Sequence, residues 1–141
     1  MSAGDFALDL SDPQQSGVYQ AETDDLDTMA ALARDAGLHI LRVDLASCGD
    51  KHRLLMRLAT QLDFPAGFGR NWDALSDALR DLAWLPASHG YALLIDGADA
   101  LARTAPNDRD TLLDILDEAA TAWAARGLTF AAFVAPASAC D

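Results

Sequence analysis

Helical spacing of apolar residues marks four stretches of the chain, and short apolar or alternating runs lie between them. The first is Leu26, Met29, Ala30, Leu32, Ala33 and Ala36, with Thr23-Asp24-Asp25 as its cap and Gly37 placed to end it. Leu38 to Leu45 alternates, Leu38, Ile40, Val43 and Leu45 against His39, Arg42 and Asp44, which predicts a strand open to solvent on part of one side. A second helix over 51–62 would bury Leu54, Leu55, Leu58 and Leu62 and turn Arg53, Arg57 and Gln61 outward. The third stripe is Ala74, Leu75, Ala78, Leu79 and Leu82. After a break at Trp84-Leu85-Pro86 and a turn at Ser88-His89-Gly90, the continuous run Tyr91 to Ile95 suits a strand covered on both faces. Asp96-Gly97 ends it, and 98–105 reads as a short helix. The fourth stripe, over about 108–126, buries Leu112, Ile115, Leu116, Ala119 and Trp123, with Gly127 closing it ahead of a last strand at 128–134.

Strands alternating with helices imply an α/β fold with parallel pairing and right-handed crossovers that lay helices over the sheet. Three strands are clear in the pattern. Val18 and Tyr19 offer a fourth, which with the first helix makes an N-terminal extension over 18–37 packed on the core. Residues 1–17 are polar, with Asp12 to Gly17 reading as turn or loose tail, so they are expected to be flexible. The whole is expected to be one globular domain.

Composition changes the picture chiefly through charge. The chain of 141 residues carries 22 acidic and ten basic side chains, a net charge of −12. Nucleic acid and anionic membranes are therefore excluded as direct ligands, and a basic protein is favoured. Residues 1–10 lack a basic and apolar leader pattern, and no run is long enough to span a bilayer, so the expected location is the cytoplasm. Cys48 and Cys140 have no metal-ligand spacing and are expected to remain thiols.

Candidate chemistry concentrates between Phe64 and Leu82. Pro65, Gly67 and Gly69 make a loop that runs straight into a helix with Asn71 as N-cap and Asp73 in its first turn. Asp73, Asp77 and Asp81 then stack at four-residue steps opposite the apolar stripe, with Ser76 and Arg80 on the border. Such a row destabilises its helix by roughly 0.2–0.5 kcal/mol per pair. It is either a solvated face or one shaped for a cationic partner. An anion site at this helix start is opposed by Asp73. His39, His52 and His89 are scattered, and the straight aspartate row surrounds no ion and faces no second carboxylate across a cleft, so no metal, cofactor or hydrolytic site is expected. Trp123 and Trp84 read as core, while contact and partial burial both fit Trp72.

The run Phe68-Gly69-Arg70-Asn71-Trp72-Asp73-Ala74-Leu75-Ser76-Asp77 resembles the motif of the barstar-like ribonuclease inhibitors, an aromatic-Gly-x-Asn-(Leu or Trp)-Asp-Ala-Leu-x-Asp core. The likeness extends more loosely over about 38–135. It implies a small three-stranded parallel α/β domain there, no enzymatic activity, no cofactor, and a monomer when free. It also implies an immunity-type inhibitor whose acidic helix mimics RNA phosphates in the active site of a small basic ribonuclease. A regulatory module for another basic protein is the alternative. By position, Asp77 would be the principal plug and Asp73 a second anchor. Asn71 would be a polar contact and cap, and Phe68, Gly69 and Gly67 the loop that shapes the approach. Trp72, Ser76 and Arg80 complete the face, and Glu118 on the long helix is a further contact. The chain departs from a well-known member at Gly67 and Ser76, where that member has aromatic residues.

Overall fold

The computed structural model describes residues 9–85 and 89–136. Its elements in order are β1 (Gly17–Gln20), α1 (Leu26–Asp35), β2 (His39–Asp44), α2 (Lys51–Gln61), α3 (Trp72–Asp81), β3 (Gly90–Asp96), α4 (Asp99–Thr104), α5 (Pro106–Ala125) and β4 (Thr129–Val134). The strands form one sheet in the order β1-β4-β3-β2, parallel throughout. Gly17 pairs with Ala131, Gly90 with Thr129 and His39 with Tyr91.

The order explains where the helices lie. From β1 the chain crosses the whole sheet to β2 at the far edge, then steps back through β3 to β4. Crossovers of one hand that run in opposite directions must pass over opposite faces. Accordingly α1 packs Leu26, Met29, Ala30 and Ala33 on one face, against Ala92, Leu94, Ala131 and Phe133. On the other face α2, α3 and α5 cover Leu41, Val43, Leu93, Ile95 and Phe130. With both faces covered, β3 and β4 are apolar along almost their entire length, which is why Tyr91 to Ile95 reads as a continuous run and not as an alternation. Only the edge strand β2 alternates, with Arg42 and Asp44 exposed. Gly90 is required where β3 and β4 begin their pairing: its φ is +153°, and a Cβ there would lie 2.2 Å from the Thr129 carbonyl oxygen.

Several expectations are corrected. The sheet has four strands: Val18 and Tyr19 form the fourth that they offered, pairing with Ala132 and Phe133. Residues 9–17 are held against the domain, and of the two readings of Asp12 to Gly17 the turn is the one found: Leu10 is buried, the Asp12 side chain accepts from Gln14 N at the head of a 3-10 turn over Pro13–Gln15, and the Ser16 hydroxyl accepts from Phe130 N at 3.0 Å. Thr23 does not cap α1. Its hydroxyl lies instead within hydrogen-bond distance of Asp96 Oδ1 (3.0 Å) and Pro136 O (2.8 Å), tying the chain after β1 to the ends of β3 and β4. The long helix starts at Pro106, whose fixed φ and missing N–H suit the first helical position. Residues 1–8, Pro86, Ser88 and Cys140 lie outside the described residues.

Residues before Leu38 thus supply a strand and, among the described residues, the helical cover of one sheet face. A chain begun at Leu38 leaves Ala92, Leu94, Ala131 and Phe133 bare, an apolar patch with no replacement. It is expected to lose cooperative thermal unfolding and to bind a hydrophobic dye, while the full chain does neither. Cooperative melting of the shortened chain would contradict this account.

Candidate functional site

The loop before α3 is held by aromatic packing. Phe64 and Phe68 meet edge to face with centroids 4.8 Å apart, and Trp84 closes on Phe64 at 5.5 Å. The Trp84 Nε1–H donates to the Leu62 carbonyl at 3.0 Å, which locks the end of α2 to the chain beyond α3. Gly67 takes φ +96°, and nothing lies within 4 Å of where its Cβ would be. Gly69 serves differently. It has an ordinary φ, but a Cβ there would stand 3.2 Å from Asn71 Nδ2 and 3.3 Å from Ala74 Cβ. The left-handed residue at the entry to the helix is Arg70, at φ +55°.

Asn71 caps α3 as its sequence position predicts, with extended backbone and Oδ1 accepting from Ala74 N at 2.8 Å. Its Nδ2 donates to Gly69 O at 3.3 Å. Behind the helix, Leu75, Leu79 and Leu82 are buried against α5, and the Trp123 indole N–H donates to the Leu79 carbonyl at 2.8 Å. Leu82 ends the helix in the left-handed region at φ 50°.

In front, Asp73, Asp77 and Asp81 are all exposed. Asp77 is engaged by Arg80, whose Nη2 lies 2.8 Å from Oδ1, and the Arg80 Nε–H donates to the Ser76 carbonyl at 3.3 Å. Ser76 and Trp72 are half-buried, and Lys51 Nζ sits 5.5 Å from the Trp72 ring centroid. Between the loop and α3 runs an open groove of about 310 Å³. Gly67, Phe68, Gly69 and Asp77 share it, together with Asp81 and Trp84, which were not among the expected contacts. The four-residue repeat already marked Asp81. Trp84 gave no such signal, because its place depends on how the chain folds back. Asp73, Trp72, Ser76 and Arg80 lie outside the groove lining. Glu118 is exposed on α5, the helix that packs behind α3.

Among the described residues no three His, Cys, Asp or Glu side chains come together to hold a metal ion, and no helix is long and apolar enough to cross a membrane. Cys48 is buried with Sγ 3.9 Å from Arg53 O, and burial pushes its thiol up, with Asp44 and Asp50 adding to the effect and Arg57 and Arg53 opposing it.

Two outcomes follow from this geometry. Asn71→Ala removes the cap and should lower unfolding free energy by about 1 kcal/mol in urea titrations, while Asn71→Asp should retain most of it. In a Cys140→Ser chain, Cys48 should react with a thiol reagent only as fast as the protein unfolds; rapid reaction in native buffer would show the site to be open.

Comparison with known proteins agrees with the motif. No curated protein matches the chain. A solved structure of the Aeropyrum pernix ORC2 protein in ADPNP–ADP complexes is similar at a TM-score of 0.51 and 17% identity. That match covers 86% of this chain but 35% of the other, so this chain spans about a third of its length, and the likeness is one of fold alone. The sequence model described as "Barstar (barnase inhibitor)" matches residues 38–135, which take in β2 through β4, the glycine loop and the acidic helix. With more than half of its length so matched, the chain belongs to the barstar family of barnase inhibitors.

Proposed function

We propose that this protein inhibits a small basic ribonuclease by laying the outer face of α3 and the neighbouring glycine loop over the enzyme's active site. The observation that carries this reading is the exposed row Asp73, Asp77 and Asp81 on a helix fixed from behind, in a chain of the barnase-inhibitor family. A ribonuclease must offer cationic groups where RNA phosphates sit, and carboxylates held rigidly can fill those positions without the cost of ordering a flexible loop. Asp77, at the centre of the row and inside the groove, takes the place of the deepest phosphate. Asp73 anchors the helix start, with Asn71, Trp72 and Ser76 around it. Gly67, Phe68 and Gly69 form the adjoining wall, and Glu118 is a more distant contact. The net charge of −12 speeds encounter with a basic enzyme.

A second reading, a barstar-fold module that binds a different basic protein, is favoured by one observation: Arg80 already occupies Asp77 at 2.8 Å. The pair is solvent-exposed on both sides, so its intrinsic strength is at most about 1 kcal/mol. A buried cationic site on a partner can displace it.

Barnase and a panel of other small basic ribonucleases provide the test, by RNA-cleavage assay and by binding titration. At least one should be inhibited stoichiometrically. Asp77→Ala should then weaken that complex by at least about 2 kcal/mol, a Kd ratio of roughly thirty. Arg80→Ala should leave affinity unchanged or tighten it slightly. If no ribonuclease is inhibited while a non-nuclease basic protein binds through Asp77, the second reading holds.

A further inference from the structure

The chain's positive charge is not spread evenly. Residues 51–70 hold four of its ten basic side chains, Lys51, Arg53, Arg57 and Arg70, and only one of its 22 acidic ones, Asp63. His52 lies among them. In a protein of net charge −12 this is a local reversal of sign, and the fold sets Arg53 and Arg57 on the outer side of α2, with Arg70 reaching in from the following loop and Lys51 at the border against Trp72. There the surface is hollow, with a volume of about 600 Å³ lined by Ser47, His52, Arg53, Met56, Arg57 and Thr60 and by no carboxylate. Asp50 stands at the edge, 3.8 Å from Arg53 Nε, but its other oxygen is committed to capping α2 through Arg53 N at 2.8 Å.

At the centre is Met56, the one large hydrophobic side chain that is exposed among the described residues, at 37%. Arg70 Nη1 reaches its sulfur at 3.9 Å. An unbranched, polarizable side chain of this kind adapts its shape to a partner and recurs on binding surfaces. Arg57 is already ordered: its Nη1 donates to the carbonyls of Asp44 at 2.6 Å and Ala46 at 3.3 Å. A cation fixed in advance loses little entropy when an anion arrives.

We infer that α2 carries a second docking surface, distinct from the α3 face, which takes an acidic segment of a protein with an apolar residue seated on Met56. Charge complementarity selects the acidic partner, and the exposed methionine selects a polypeptide over a bare polyanion. A nucleic acid would extend beyond the patch and meet the field of the surrounding carboxylates. The surface adjoins the α3 face, since Lys51 contacts Trp72 and Arg70 directly precedes the Asn71 cap. One partner with adjacent cationic and anionic patches, or two partners, would satisfy both.

The test uses the full chain and a fluorescein-labelled peptide of six glutamates around one central leucine, followed by anisotropy at low ionic strength. Saturable binding that weakens with added salt is expected. The double variant Lys51→Glu/Arg53→Glu, at two exposed positions, should weaken it about tenfold or more, and Met56→Asp should also weaken it, with thermal melting unchanged in both. Asp77→Ala should leave it unaffected, which separates this surface from the α3 face. The inference is overturned if the wild-type chain fails to bind the peptide, if the charge reversal has no effect, or if an oligothymidine of similar charge competes equally well.

Discussion

Everything on the acidic face depends on how α3 is held from behind. A helix of ten residues is too short to persist alone in water, and three aspartates in a row make it worse. Burial of Leu75, Leu79 and Leu82 against α5 compensates, at about 1.5–3 kcal/mol for each fully buried side chain. The indole N–H of Trp123 adds a directional bond to the Leu79 carbonyl, so the helix is fixed in rotation as well as in place. Rotation matters because the carboxylates and the leucines are set on opposite sides of a single turn pattern. A turn of the helix about its axis would move the row away from the groove shaped by Gly67 and Phe68.

The same two-sidedness made α3 legible from sequence. Asn71, the apolar stripe and the aspartate repeat each follow from local rules, and all three stand where those rules put them. The strands were legible for a related reason, since continuous runs mark the interior of a parallel sheet and alternation marks its edge. What the residues did not reveal was long-range. Val18 and Tyr19 suggest a strand, but four residues carry too little pattern to place it, and its position is set by the edge that β4 offers. Leu10 in a polar stretch and Trp84 beyond a helix end likewise acquire their positions from chain segments far away in sequence. At the loop, Gly67 uses the conformational freedom that its position suggests, whereas Gly69 is needed for the absence of a side chain and Arg70 takes the left-handed turn itself.

The N-terminal segment shows how an addition becomes structural. The matched family region, 38–135, contains three strands with helices on one face only. A parallel sheet cannot leave its second face to water without exposing a contiguous apolar patch. In this chain β1 extends the sheet and α1 covers that face, and Thr23 fastens the connection to Asp96 and Pro136.

Charge then divides the surface in a way that net charge conceals. Before contact, within about a Debye length of the surface (~8 Å in physiological salt), an approaching protein meets a strongly negative molecule, which biases encounter. At contact it meets two neighbouring regions of opposite sign, the aspartate row of α3 and the arginine-rich side of α2, joined where Lys51 reaches Trp72. Encounter and recognition therefore rest on different features. Any basic protein is attracted to the chain as a whole, whereas a surface that opposes like charge to either region is penalised on docking. That penalty discriminates among basic partners that the long-range field cannot tell apart. In the proposed mode of binding Arg80 would have a physical role: its exposed ion pair with Asp77 would weaken contacts that are only loosely fitted while adding little resistance to one that buries the carboxylate.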